Sequence, residues 1–183
     1  MNRLATLSLL GLSIAGVAPM GCVATTGAGG AGLQTRAPEF TLTAASSGPT
    51  RGRFRLSDHL GQRPVVVLFW ATWCAPCTQE LAFYQTIYQR YSDQLAIVGV
   101  AEDESDSASA VGPTARQLGI TFPVVTDTET QVVSMYNPRR DVPFSVWIDR
   151  SGAIVRTRQS FSLSERELIE QGIARLVANQ PVQ

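Results

Sequence analysis

The sequence contains no lysine: all 15 basic side chains are arginine, set against 15 Asp and Glu. That excludes Schiff-base and P-loop lysine chemistry. There is one histidine, His59, so multi-histidine metal sites are excluded as well. Formal net charge is zero, and the basic excess of a nucleic-acid binder is missing. Charged residues are only 16% of 183 against 44% hydrophobic, too apolar a balance for a chain disordered throughout. Cysteine is scarce, at positions 22, 74 and 77, which excludes a disulfide-rich scaffold.

The amino terminus reads as an address. Arg3 precedes residues 4–17, an uncharged and mostly apolar stretch. Its length of about fourteen is short of the ~20 needed to span a bilayer and fits the apolar region of a secretory signal. Pro19-Met20-Gly21-Cys22 closes it and resembles the lipobox of bacterial lipoproteins, with Pro19 standing where that box usually has Leu. The resemblance implies a signal peptide over residues 1–21 and a lipid anchor on Cys22. Val23 replaces the Asp that favours inner-membrane retention in enteric bacteria, which points towards the outer membrane. Residues 23–37 are Gly, Ala and Thr with almost no large apolar side chain, so 22–37 reads as a lipidated, flexible tether. The folded domain is then 38–183, long enough for a core.

With Cys22 lipidated, the domain keeps one isolated pair, Cys74-Ala75-Pro76-Cys77. So tight a pair closes a loop too short to stabilise the fold much. A zinc site would need two more Cys or His ligands, and only His59 remains. The pair therefore reads as functional. Before it lies Pro64-Val65-Val66-Val67-Leu68-Phe69-Trp70, an apolar run typical of a strand buried on both faces. After it, Leu81, Tyr84, Ile87, Tyr88 and Tyr91 recur at helical spacing. The pair thus falls on a strand-to-helix turn with Cys74 at the helix N-terminus, where free N–H groups and the helix dipole stabilise a thiolate.

Trp70-Ala71-Thr72-Trp73-Cys74-Ala75-Pro76-Cys77 resembles the signature of the thioredoxin superfamily and, more narrowly, of the TlpA/ResA-like membrane-anchored thiol-disulfide oxidoreductases. Four further segments match in order: Ala37-Pro38-Glu39-Phe40-Thr41-Leu42 with Phe54-Arg55-Leu56-Ser57-Asp58, Val98-Gly99-Val100 with Glu102-Asp103-Glu104, Gly119-Ile120-Thr121-Phe122-Pro123-Val124-Val125, and Val142-Pro143 with Val146-Trp147-Ile148-Asp149 and Ser151-Gly152. The resemblance implies an α/β thioredoxin-like fold: a central mixed sheet flanked by helices, with an N-terminal β-hairpin and a central βα insertion. It implies Cys74 as nucleophile and Cys77 as the resolving thiol, Pro76 tuning a reducing potential, and Pro143 in cis, facing the pair and leaving the backbone of Val142 free to pair with substrate. Thioredoxin's buried Asp is replaced by Leu68, so Cys77 needs another base. By resemblance Glu104 matches best and Glu102 second, the alternative being a solvated acidic loop. Glu80 reads as a supporting residue, and Trp73 as a cover over the pair or as core packing. His59 reads as a surface residue of a short turn.

Elsewhere, residues 95–101 read as a strand and 102–118 as polar, then weakly helical, with Gly112-Pro113 interrupting any helix. Residues 129–136 read as a helix with Val132, Val133 and Tyr136 inward. Residues 144–148 and 154–158 flank a hairpin signal. Ser164-Glu165-Arg166-Glu167 reads as a capping box opening a last helix with Leu168, Ile169, Ile173 and Leu176 on its core face. The predicted order is β-β-β-α-β-α-α-β-β-α.

The reading implied is a monomeric, envelope-facing reductase of protein disulfides, fed by a membrane thiol donor, with no cofactor, metal or nucleic acid. Apocytochrome c, copper-site proteins and general periplasmic thiols all remain open as substrates. A copper(I) chaperone and a thiol peroxidase are the alternatives. The related copper chaperones use a wider Cys spacing and a His. Peroxiredoxins need Pro and Thr four and three residues before the reactive Cys, where Trp70 and Ala71 stand here.

Overall fold

The computed structural model describes residues 35–46 and 48–182. The signal segment, Cys22 and the tether up to residue 34 lie outside them. No helix among the described residues is long and apolar enough to cross a membrane.

The elements run β1 (Thr41–Thr43), β2 (Arg53–Arg55), β3 (Val65–Trp70), α1 (Ala75–Tyr91), β4 (Ala96–Ala101), α2 (Ala108–Gln117), β5 (Val124–Thr126), α3 (Gln131–Tyr136), β6 (Phe144–Ile148), β7 (Ile154–Gln159) and α4 (Arg166–Val177), with short 3-10 turns at Leu56–Asp58 and Leu163–Glu165. A five-stranded sheet has the order β5-β4-β3-β6-β7. β3, β4 and β5 are parallel, while β6 and β7 are antiparallel to their neighbours. Every residue of β3 and β4 is buried, as strands covered on both faces must be.

Side-chain alternation along β3 divides the core in two. Val66, Leu68 and Trp70 pack with Leu81, Tyr84 and Ile87 of α1 and Ile169, Ile173 and Leu176 of α4. Val65, Val67 and Phe69 pack on the opposite side with Phe40, Phe54, Leu56 and the α3 residues Val132, Val133 and Tyr136. β1 and β2 form a separate antiparallel ribbon. It shields the β5 edge through an Ala44–Val125 bridge and an Ala45 N–H bond to the Val124 carbonyl at 2.9 Å, so that edge is not left open.

Several expectations are corrected. β5 was not in the predicted order: it has three residues and follows Pro123, too little for a periodicity signal. Pro113 does not interrupt α2 but lies inside it. Buried Val111 and Ala115 anchor the helix on either side, and the carbonyl the proline ring leaves unbonded belongs to exposed Ser109. The capping box does not form. Ser164 Oγ pairs with Ser162 Oγ instead, at 2.6 Å, and α4 opens from a 3-10 turn without a side-chain cap. Leu168 is exposed; the buried face of α4 is Ile169, Gly172, Ile173, Leu176 and Val177. Nor does the tether run to residue 37. Thr35 accepts from the Ile154 N–H at 2.9 Å and the Ala37 N–H bonds the Gly152 carbonyl at 2.8 Å, so backbone pairing orders a segment with little apolar surface. His59 is half-buried, stacked on Phe54 at 4.7 Å with Arg63 Nε 3.3 Å from its Nδ1.

Candidate active site

Three strand ends converge at one edge of the sheet. β3 ends at Trp70 and runs into the cysteine turn. Its register partners Trp70↔Ala101 and Phe69↔Phe144 place the end of β4 on one side and the start of β6 on the other. The 102–104 loop and the Val142–Pro143 segment are thereby brought beside Cys74. The carboxyl end of parallel strands is where open α/β sheets carry their sites.

Cys74 is the N-cap of α1, in extended conformation, and its Sγ accepts the Cys77 N–H at 3.2 Å. Pro76 falls in the first turn, where its missing N–H costs nothing because that donor has no helical partner. Cys74 and Cys77 are joined as a disulfide. Cys74 is the more accessible, at 6% exposure against 0% for Cys77. Trp73 is 70% exposed, so it is a surface side chain flanking the pair and not part of the core. The Val142–Pro143 bond is cis. Among the described residues, neither the N–H nor the C=O of Val142 has a hydrogen-bond partner; the next ladder contact is Ser160 N–H to the Pro143 carbonyl at 2.9 Å.

The carboxylates sort differently from the expectation. Glu104 is 76% exposed at its side chain, 3.9 Å from Arg140, and faces solvent instead of the pair. Glu80 is 2% exposed, one helical turn after Cys77, where i and i+3 side chains are neighbours. Burial pushes its carboxyl up to about 8, against the opposing charge of Arg158. Arg158 is itself held at 2.8 Å by Glu165. Below this pair, Trp147 Nε1 donates to Tyr84 OH at 3.2 Å, and burial raises the Tyr84 hydroxyl as well. The sequence signals for Glu80 are its spacing of three from Cys77 and its match, by resemblance, to a Glu common in the family.

The acidic loop is half solvated and half built in. Glu104, Ser105 and Asp106 are exposed, but Glu102 and Asp103 are buried. Glu102 Oε1 accepts from Asn137 Nδ2 at 2.8 Å, and Arg140 Nε lies 3.8 Å from Oε2. Burial raises its carboxyl despite both partners. Asp103 accepts the Thr72 N–H at 3.0 Å on one oxygen and the Thr72 hydroxyl on the other. Nothing in the sequence singles out Asp103, because three consecutive acids, Glu102-Asp103-Glu104, give no sign of which one points inward.

Comparison with known proteins adds three findings. The model of a family described as the AhpC/TSA family matches residues 33–171. The thiol-disulfide oxidoreductase ResA of Geobacillus kaustophilus is 33% identical over 118 residues, covering 64% of each chain. ResA of Bacillus subtilis is 34% identical over 121 residues, covering 66% of this chain and 63% of its own. The chain thus matches somewhat under two thirds of these relatives' length. Among solved structures, a candidate thiol:disulfide interchange protein DsbE of Chlorobium tepidum superposes with TM-score 0.69 at 27% identity, covering 79% of this chain and 96% of its own. The exposed lipoprotein thioredoxin of Streptococcus pneumoniae does so with TM-score 0.60 at 26% identity, covering 76% and 100%.

Proposed function

The chain belongs to the AhpC/TSA family, with a thioredoxin-like fold and a TlpA/ResA-like site, and from that premise we propose that it is a thiol-disulfide oxidoreductase that reduces protein disulfides in the bacterial envelope. The observation that carries this reading is the Cys74–Cys77 disulfide across the first turn of α1, with the more accessible sulfur at the helix N-terminus.

In the reduced protein the Cys74 thiolate attacks a substrate disulfide. A bond forms between Cys74 Sγ and one substrate sulfur, the substrate S–S bond breaks, and the departing thiolate takes a proton. Cys77 then loses its proton and attacks Cys74 Sγ, which closes the internal disulfide and releases the second substrate thiol. Two electrons pass to the substrate. A thiol donor in the membrane resupplies them.

Glu80, and not Glu104, is the proton acceptor for Cys77 in this scheme. A carboxyl at about 8 is close in proton affinity to a cysteine thiol, ordinarily about 8.5, and matched affinities favour transfer. Arg158 and the Arg158–Glu165 pair set the charge behind it. The free backbone of Val142 supports a role in holding extended substrate next to Cys74, and exposed Trp73 and Pro76 complete that face.

Lipidation at Cys22 would tether the domain to a membrane, outer by the Val23 signal, with the domain acting as a monomer. The similarity to a pneumococcal lipoprotein thioredoxin supports an anchored, envelope-facing protein. Maturation of cytochrome c is one process such a reductase serves. The test is reduction of insulin disulfides by the prereduced protein, with its potential read in dithiothreitol redox buffers. Turnover that is lost in Cys74→Ser, with a potential nearer thioredoxin than an oxidant, supports the reading. Rapid consumption of hydrogen peroxide, or stoichiometric copper(I) binding without insulin reduction, replaces it with the peroxidase or chaperone alternative.

A further inference from the structure

Glu102 and Asp103 are consecutive, and their side chains reach opposite walls of the site. Asp103 is 1% exposed and takes both the N–H and the hydroxyl of Thr72, two residues before Cys74. The neighbouring backbone adds a Glu102 N–H bond to the Trp70 carbonyl at 2.9 Å. Glu102 turns the other way. Its carboxylate holds Asn137 Nδ2, which also bonds the Asp141 carbonyl at 3.2 Å, and its own carbonyl accepts from Arg140 Nη2 at 3.3 Å. The Arg140 N–H closes back on the Asn137 carbonyl at 2.8 Å, and Arg140 sits at φ 54, a left-handed conformation that a non-glycine residue adopts at a cost. Asp141 is the residue before Val142, whose backbone donor and acceptor are free among the described residues.

We infer that Glu102 and Asp103 are positioning residues: a two-sided clamp that fixes the spacing between the cysteine turn and the Val142–Pro143 segment, and so selects extended polypeptide disulfides over small ones. The inference rests on the reading that Cys74 attacks while Val142 pairs with the substrate backbone. Buried acids facing solvent-free partners are costly unless satisfied, and here each is satisfied by a different wall of the cleft. A segment not tied to the cysteine turn would let the bound strand drift from Cys74, and displacements of about 1 Å are enough to cost up to 10²-fold in rate. A small disulfide needs no strand pairing, only access to Cys74 Sγ.

The test compares insulin with 5,5′-dithiobis(2-nitrobenzoic acid) as oxidants of the prereduced full chain. Glu102→Ala, Asp103→Ala, Asn137→Ala and Thr72→Val are assayed beside Glu102→Gln and Thr72→Ser, which keep the bonding groups. The clamp predicts that KM for insulin rises about tenfold or more in the first set, the scale of losing a hydrogen bond to a charged group, while the small-disulfide rate falls by less than about threefold. Glu102→Gln and Thr72→Ser should stay near wild type. Parallel loss on both substrates, or an unmoved insulin KM, overturns the clamp and leaves the acids as fold elements. Thermal unfolding of each variant identifies any that fails to fold, and Thr72→Val or Asn137→Ala then decides the matter for Asp103 or Glu102. Insulin reduction surviving in Cys74→Ser contradicts instead the reading on which the clamp rests.

Discussion

Glu80 and Cys77 lie one helical turn apart on the buried face of α1, with almost no solvent reaching either. A carboxyl so placed is held towards its neutral form, and burial raises it to about 8. On the proposed mechanism the ionised fraction of this carboxyl, which grows as pH approaches 8, takes the proton that Cys77 must lose, with Leu68 standing where thioredoxin has its strand Asp.

Glu80→Gln should slow turnover by roughly 10 to 10⁴-fold, the range for losing a general base, through the resolving step. The first attack by Cys74 should change little. Stopped-flow accumulation of the mixed disulfide on Cys74 checks this. Glu104→Gln, on an exposed side chain, should be near neutral in the same assay.

The same carboxyl makes the oxidised protein's stability depend on pH. The folded chain holds this proton up to about pH 8, whereas the unfolded chain releases it near 4.5. The contribution is therefore full below pH 4.5 and is lost as pH rises through 8, by a few kcal/mol at about 1.4 kcal/mol per unit. Denaturant unfolding between pH 5 and 8, run on wild type and Glu80→Gln, should show a falling slope in the first that is flattened in the second. Arg158→Gln should raise the Glu80 carboxyl further and Glu165→Gln should lower it, since Arg158 opposes the shift and Glu165 adds to it.

At about pH 7, Cys74 of the reduced protein should alkylate much faster than Cys77. Only Cys74 combines the helix N-cap with access to solvent. Mass spectrometry after brief iodoacetamide treatment reads the two sites separately.

Gly172 on α4 should not tolerate a side chain. A Cβ there would lie 2.7 Å from the Trp147 ring, and overpacking of this kind costs about 1–3 kcal/mol. Gly172→Ala should lower the unfolding midpoint while leaving the relative alkylation of Cys74 and Cys77 as in wild type.

What the sequence made legible follows from how strong each local signal is. β3, the turn and α1 were readable because an apolar run, a Cys-x-x-Cys and a helical stripe adjoin without a break. The β6–β7 hairpin and the inward face of α3 were readable for the same reason. β5 was not, because three residues beside a proline carry no period. Leu168 was misplaced because it is one residue off the stripe that Ile169 starts. The choice among Glu80, Glu102, Asp103 and Glu104 could not be made in sequence: it depends on how the loop after β4 folds back on Thr72 and Asn137, a long-range packing outcome. Cys22 and the signal segment remain open to a direct assay: Cys22→Ser should move the protein from the membrane to the soluble fraction.

The central claim, that Cys74 attacks substrate and Cys77 resolves, is tested most directly by trapping with Cys77→Ser in envelope preparations. The account predicts dithiothreitol-sensitive adducts on Cys74 that are absent from Cys74→Ser/Cys77→Ser. Adducts that form instead on Cys77 in Cys74→Ser, with none in Cys77→Ser, would contradict it.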